Sequence, residues 1–523
     1  MNVLFVSIDS LRRDVLSTYD RSMDLDVATP NLDRFAERSL VFDTHYAGSL
    51  PCMPARREWM TGVQEFLWRP WGPIEPFDTT LPLAARENGV LSQLITDHFH
   101  YFQHGSDGYY EDYNGFDYVR GHEVDAWRTH PPEPEGWLLS QVLDGTPKEA
   151  DDVAINELSA GNSSTDLRFQ NRAQYARNAA EFEEEEDFFA PRVFSRVESW
   201  LEDNVAWDEW FCYVDSFDVH EPFHNPEPYA SMYTDQDPRD PSHTVWPFYG
   251  RTDAGQSELS DDELAFVRSQ FAGKVTMVDR WFGKVLNTLD DQELWDETMV
   301  VVTSDHGFFL GEHGWVGKPG RSPMYDTLVH TPLMVWHPDS PRTGGRTSAL
   351  TSAVDLHATV LDAFGVDDPN RNHSRSLLPL VLDKTDHVRD WALYGYWGSS
   401  VNVTDGERTY LRSCRPENPS AVYSTTMMNA YGWFTPKTPK EDAKAGRYLP
   451  YTDAPVWRYE APSVKRHEKP LLFDVSDDPD QTTDIAADLP EVHDEMRNLL
   501  VDALDELRAP DEQYERLGLE EVA

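Results

Sequence analysis

The chain has 523 residues and carries 45 Lys plus Arg against 93 Asp plus Glu, a formal net charge of −48. That length exceeds one small module, and carboxylates spread along the chain among 17 Trp, 22 Tyr and 25 Phe describe a folded protein with an acidic surface, not a disordered acidic tail. The balance excludes a nucleic-acid partner, because no basic stripe is present to neutralise phosphates, and self-repulsion on this scale points to a medium or cytoplasm rich in salt.

Val3 to Ile8 is apolar on both faces and rich in branched side chains, as a strand buried inside a parallel sheet should be. Polar Asp9 and Ser10 follow at its carboxyl end, where open α/β sheets place their sites. No basic leader precedes the run, no small-residue cleavage site follows it, and no stretch of about 18 apolar residues occurs later. Neither export by that route nor a membrane span is expected, and the chain reads as cytoplasmic. Thr29-Pro30-Asn31-Leu32-Asp33 predicts a helix capped by Thr29, with Pro30 in its first turn. The three cysteines, Cys52, Cys212 and Cys414, are widely spaced and odd in number, which excludes a disulfide framework and a Cys-rich zinc module. Cys212, inside an apolar strand, and Cys414 read as packing residues.

Val90 to Ile95 is a short apolar run followed by Thr96-Asp97-His98-Phe99-His100. Between about residues 130 and 190 the chain is polar, and Glu183-Glu184-Glu185-Glu186-Asp187 reads as a solvated face. A helix from about Val193 to Leu201 leads into the strand Trp210 to Val214, which ends in Asp215 to His220. Helical periodicity runs from Ser257 to Leu289, and Met299 to Thr303 is another buried strand, ending in Ser304-Asp305-His306. Strands that end in Asp and His clusters predict a site at one edge of the sheet. A helix from Asp355 to Gly365 closes this part of the chain; beyond it Trp391 to Tyr394, Glu407 to Leu411 and Leu471 to Val475 read as small antiparallel strands, and residues 490 to 508 as a charged helix. The expected architecture is α/β: a large, mostly parallel central sheet flanked by helices over residues 1–385, the catalytic domain, and a smaller C-terminal antiparallel-sheet subdomain over 386–523.

Asp9, Asp305 and His306 together supply hard oxygen ligands and one imidazole, a set suited to Ca²⁺, Mg²⁺ or Mn²⁺ more than to a soft metal. Ca²⁺ or Mg²⁺ is the favoured ion, with Mn²⁺ the alternative. Cys52-Met53-Pro54-Ala55-Arg56, leading to Thr61-Gly62, resembles the Cys-x-Pro-x-Arg motif of the type I sulfatases within the alkaline phosphatase superfamily. The opening strand with Thr29-Pro30-Asn31-Leu32-Asp33, the segment Thr303-Ser304-Asp305-His306-Gly307 to Gly311-Glu312-His313-Gly314, Asp218-Val219-His220-Glu221-Pro222, and Leu472-Phe473-Asp474-Val475 with Asp478-Pro479 are similar to further segments of that family. The resemblance runs from residue 2 to about residue 490.

It implies that a maturase converts Cys52 to formylglycine, whose hydrated aldehyde is the nucleophile, and that Asp9, Asp305, His306 and the residue at 52 bind one divalent cation. It also implies that Lys318 contacts the sulfate and that His220 touches the leaving-group oxygen. Arg56, one helical turn from Cys52, would hydrogen-bond the diol or its oxyanion. The family's Gly-Lys-Trp-His segment is replaced here by Thr96-Asp97-His98-Phe99-His100, so His98 or His100 is left to reach the sulfate. His313 either supports the site or contacts sulfate. Trp68, Arg69 and Trp71 leave the Cys52 helix directly and either bind a ring or sugar or pack within the fold. The expected reaction is hydrolysis of a small-molecule sulfate ester with release of inorganic sulfate. A phosphonate monoester hydrolase or phosphodiesterase is the alternative and a non-catalytic protein the third reading, while aryl, sugar and choline sulfates, and every oligomeric state, stay open.

Overall fold

The computed structural model describes residues 1–19, 23–103, 106–129, 136–143, 171–427 and 441–519. The polar stretch expected from about 130 to 190 therefore falls partly outside the described residues; within them, Glu183, Glu184 and Glu186 are exposed, as a solvated face requires.

Eight strands form the central sheet: β1 (Asn2–Ile8), β2 (Leu40–Phe42), β3 (Leu91–Thr96), β4 (Gly115–Tyr118), β5 (Trp210–Ser216), β6 (Thr298–Thr303), β7 (Leu333–Trp336) and β8 (Arg346–Thr347). Their order across the sheet is β8-β2-β7-β6-β1-β5-β3-β4. Only β7 runs against the others, pairing antiparallel with both β6 and β2. β1 lies between parallel β5 and β6 and is buried along its whole length. Its alternate residues serve two cores. Val3 and Phe5 join Met53, Trp59 and Leu356 on one side, while Leu4, Val6 and Ile8 join Phe271, Phe282 and Phe194 on the other. This two-sided burial is why the strand reads as one continuous apolar run.

The principal flanking helices are α1 (Cys52–Thr61), α2 (Phe189–Asn204), α3 (Asp261–Asp291) and α4 (Asp355–Ala363). α3 starts later than its periodicity suggests because Ser260 caps it: the Ser260 hydroxyl accepts from the Glu263 amide, and Glu263 reaches back to the Ser260 amide. The helix Pro30–Ala36 forms where expected, but Thr29 makes no side-chain cap. Asp279 of α3 does so instead, its buried carboxylate accepting from the amides of Asn31 at 3.0 Å and Leu32 at 2.7 Å and from the Asn31 side chain at 3.0 Å. One turn further along α3, Gly283 admits this close approach, since a Cβ there would collide with the Asn31 side chain.

Toward the carboxyl end a second sheet has the order Leu471–Asp474, Arg408–Arg412, Val401–Thr404, Ala392–Tyr396, Ser49–Leu50. Its pairings are antiparallel except the last, in which the two residues just before the Cys52 helix add in parallel. A three-stranded sheet of Ser420–Ser424, Val456–Ala461 and Lys444–Gly446, and the helix α5 (Pro490–Glu506), complete this region. No described helix is long and apolar enough to cross a membrane.

The Asp279 cap yields a stability prediction. Asp279→Ala strands the buried Leu32 amide and the half-buried Asn31 amide at the start of Pro30–Ala36, so urea unfolding should show a loss of about 1–3 kcal/mol with an unchanged m-value. An unchanged midpoint would show that this cap does not hold the helix.

Candidate active site

The sheet register assembles one half of the site. Thr96 of β3 pairs with Asp215 of β5, Asp215 with Ser7 of β1, and Ser7 with Thr303 of β6. The chain therefore leaves four parallel strands at the same level, delivering Asp97, the 217–220 turn, Asp9 and Asp305 side by side. The other half comes from α1, whose first residue is Cys52. Glu58, one and a half turns into that helix, accepts from the Ser49 amide at 2.6 Å and fixes the approach to Cys52. After His306, Gly307 lies against the Thr327 carbonyl, where any Cβ would collide.

Asp9, Cys52, Asp305 and His306 each offer one ligand atom, and the four atoms lie within 4.8 Å of one another. All four residues are buried. Asp305 Oδ1 accepts from the amides of Ser10 at 3.1 Å and His306 at 2.8 Å, which leaves Oδ2 facing the cluster. The His306 Nδ1–H donates to the Gly307 carbonyl at 2.9 Å, so its Nε2 carries the lone pair, 3.3 Å from Cys52 Sγ and 3.2 Å from Asp305 Oδ2. Burial pushes His306 down to about 3, keeping the imidazole neutral. Asp9 Oδ1 accepts from the Ser10 hydroxyl at 2.8 Å, while Oδ2 faces the Arg56 guanidinium. Burial and the nearby Asp305 hold the Asp9 carboxyl well above the usual range. Two buried carboxylates and an oriented neutral imidazole form a donor set that fits one divalent cation.

Arg56 holds the surrounding carboxylates together. Its guanidinium donates to Asp215 through Nε at 3.2 Å and Nη2 at 2.8 Å, reaches Asp9 Oδ2 at 2.9 Å, pairs closely with Asp305, and donates to the Cys52 carbonyl at 3.3 Å. Its contact with residue 52 is thus to the backbone, and its side-chain partners are Asp9, Asp215 and Asp305. Asp215, which the sequence marked only as part of a polar strand end, also accepts from Ser7 at 2.7 Å and Tyr101 at 2.8 Å. Arg56 and His98 hold its carboxyl well below the usual range despite burial. Burial, followed by Asp9, pushes the Cys52 thiol up.

Lys318 lies on the same cluster, 3.4 Å from the Ser10 hydroxyl, and its charge lowers Asp9 and Asp305. His220 stacks on Phe217 at 4.2 Å and donates from Nδ1 to the Glu221 carbonyl at 2.8 Å, leaving Nε2 for another partner. Burial, then Lys318, pushes His220 well down. His98 is buried against Phe217 at 4.2 Å with Nδ1 3.5 Å from Asp215, and its pKa falls to about 3 through burial. His100 instead meets Glu123 at 3.2 Å, Gln103 at 2.8 Å and the edge of Trp71 at 4.8 Å. His313 stacks on Tyr325 at 3.6 Å, with Glu312, Asp480 and Asp478 as its charged neighbours.

Of the two readings open for Trp68 and Arg69, their surroundings are those of packing residues. Trp68 is fully buried against His373 and Tyr451, within the core shared with the C-terminal sheets. Arg69 pairs with Glu75 at 2.9 Å, inside a buried ionic group that also contains Arg57, Glu65 and Asp78. Both side chains pack the interior because the loop after α1 turns into the C-terminal region, and Trp71 alone of the three meets His100.

The sulfatase family profile matches residues 1–366. The chain is 24% identical over 431 residues to the multifunctional alkaline phosphatase superfamily protein PehA of Trinickia caryophylli, covering 73% of this chain and 77% of that one. It is 25% identical over 511 residues to iduronate 2-sulfatase of Homo sapiens, covering 89% of this chain and 81% of that one. The solved structure of the phosphonate monoester hydrolase of Agrobacterium radiobacter shares the fold, with a TM-score of 0.62 and 21% identity over 97% of this chain and 95% of that one. Because the profile takes in β1, the Cys52 helix and the Asp305-His306 turn, whose side chains close into the one Asp/Cys/Asp/His cluster, the chain belongs to the sulfatase family, as a metal-dependent, formylglycine-using enzyme of the alkaline phosphatase superfamily.

Proposed function

We propose that the chain hydrolyses a small organic sulfate ester at Cys52, after a maturase has oxidised that residue to formylglycine. The observation that carries this reading is the convergence of Asp9, Cys52, Asp305 and His306 within 4.8 Å. Asp9, Asp305, His306 and the side chain at 52 would hold a divalent cation, which would supply Lewis acidity and make the hydroxyl there more acidic. The carboxylates of Asp9, Asp215 and Asp305 share Arg56, with Lys318 beside them, so a bound divalent cation would add positive charge where an anionic ester has to sit.

Each chain residue then has a task. Arg56 holds Asp9, Asp215 and Asp305 in register, and Lys318 binds a sulfate oxygen on which charge must be held during transfer. His220 presents Nε2 to the departing oxygen, because Nδ1–H is already engaged by a carbonyl; burial and Lys318 keep the free imidazole neutral, so the proton it delivers is taken up together with the anionic ester. His100 and Trp71, which pack edge to face, form one wall for the leaving group, whereas His98 positions Asp215. His313 supports the turn that leads to Lys318.

A second reading, hydrolysis of a phosphonate monoester or phosphodiester, is favoured by the imidazole of His306 in the ligand set, and relatives named for phosphonate monoester and multifunctional superfamily activity support it. The two separate by rate. With metal-loaded protein coexpressed with a maturase, kcat/KM for 4-nitrophenyl sulfate should exceed that for bis(4-nitrophenyl) phosphate; the reverse order would assign the chain to the second reading.

Metal dependence follows from the ligand set. A chelator should abolish turnover, and Asp305→Asn, which makes one hard ligand neutral, should weaken metal affinity about 10-fold or more by metal titration. Unchanged affinity would remove Asp305 from the site.

We further propose a salt-rich cytoplasm as the setting and a domain division near residue 385. α5 supports the salt reading, exposing Glu491, Asp494, Glu495, Asp502, Asp505 and Glu506 to solvent. Screening lengths fall from about 10 Å to about 3 Å between 0.1 M and molar salt, so the thermal midpoint should rise across that range of KCl. A flat curve would defeat the salt-adapted reading.

A further inference from the structure

Asp97, His122 and Asp218 form a second buried group, their donor atoms within 4.8 Å of one another. The Lys274 ammonium, reaching in from α3, stands 2.5 Å from Asp218 Oδ1, so a fixed cation already compensates the carboxylates. The group therefore reads as a charge clamp. What it clamps is the turn that carries His220.

Asp218 lies two residues before His220, and donors from three separate elements meet its carboxylate. Lys274 comes from α3, His122 Nε2 from the loop after β4 at 2.9 Å, and the Ala190 amide from the first turn of α2 at 3.1 Å. These donors hold the Asp218 carboxyl well below the usual range although it is buried. The backbone of the same turn is held as tightly. The Phe217 amide donates to Asp97 Oδ1 at 2.7 Å, the Val219 amide to the Asp9 carbonyl at 3.0 Å, and the His220 amide to the Phe217 carbonyl at 2.9 Å. The Phe217 ring, so fixed, stacks on the His220 imidazole.

We propose that Lys274 and His122 are positioning residues that, through Asp218, hold His220 where it can protonate the leaving group; this rests on the proton-donor reading of His220. A carboxylate buried without its cation is costly enough to move the turn that bears it. Displacements of about 1 Å at a reacting group cost up to about 10²-fold in rate. That loss falls on esters whose leaving group needs a proton and spares esters that leave as stable anions.

The test is kcat/KM across a series of aryl sulfates from 4-nitrophenyl to 4-methoxyphenyl, using metal-loaded, matured enzyme. Lys274→Met should lose about 10-fold or more on 4-methoxyphenyl sulfate beyond its loss on 4-nitrophenyl sulfate. His122→Leu, which keeps the Lys274–Asp218 pair and so retains the buried charge balance, reads the same slope if Lys274→Met does not fold. His122→Gln, which restores a donor toward Asp218, should return the slope toward that of the unaltered enzyme. Adding Lys274→Met to His220→Ala should steepen the slope no further, because both act through one group. Equal losses on all esters in Lys274→Met and His122→Leu, with a steep slope in His220→Ala, would overturn the clamp alone. An unchanged slope in all three would overturn the clamp together with the proton-donor assignment.

Discussion

The constraint on which the site depends is the burial of three carboxylates, Asp9, Asp215 and Asp305, around one arginine. Like charges in a low-dielectric interior repel strongly, and each loses hydration that only a partner can replace. Arg56 contacts all three and donates to the backbone carbonyl of Cys52, so the carboxylates and residue 52 take their positions from one planar guanidinium. Asp9 is the member left incompletely matched, sharing Arg56 with two other carboxylates and carrying a raised pKa, and this is where a divalent cation would restore balance. The family's need for a metal is thus visible as an electrostatic deficit of the protein itself.

The scaffold makes this arrangement rigid by drawing on distant parts of the chain. Four parallel strands end in register, which fixes the Asp9, Asp215 and Asp305 backbones relative to one another. Cys52 arrives from a helix whose preceding residues belong to the C-terminal sheet, so that sheet shares in placing the nucleophile. A second ionic group, Arg57, Glu65, Arg69, Glu75 and Asp78, fastens the far side of the same helix to the loop that follows it. Two consecutive arginines, Arg56 and Arg57, thereby serve opposite purposes: one organises the reacting groups, the other secures the helix that carries them.

Much of this was legible in the sequence where local pattern and chemistry coincide. β1, β5 and β6 are apolar runs that end abruptly in Asp or His, and the Cys52 motif and the Asp305-His306 pair are contiguous, so their residues could be named before any contact was known. β2, β7 and β8 were not read as strands: two to four residues carry no measurable period, and their pairing with the sheet decides their conformation. The Thr29 cap failed because a tertiary partner, Asp279, took the amides first. Asp215, Tyr101, His122 and Lys274 became visible only through pairings across more than fifty residues of chain, which no local signal encodes. Binding and packing both stayed open for Trp68 and Arg69 because sequence proximity to Cys52 does not reveal that the loop turns inward.

The most direct test of the account is whether activity tracks the oxidation of residue 52. Preparations made with graded amounts of maturase should be digested and the peptide bearing residue 52 weighed, the aldehyde form being lighter than the thiol by about 18 Da through loss of two hydrogens and sulfur and gain of oxygen. The account predicts that sulfate release per molecule rises in proportion to the aldehyde fraction and vanishes with it. Full turnover from protein whose Cys52 is entirely thiol would contradict it.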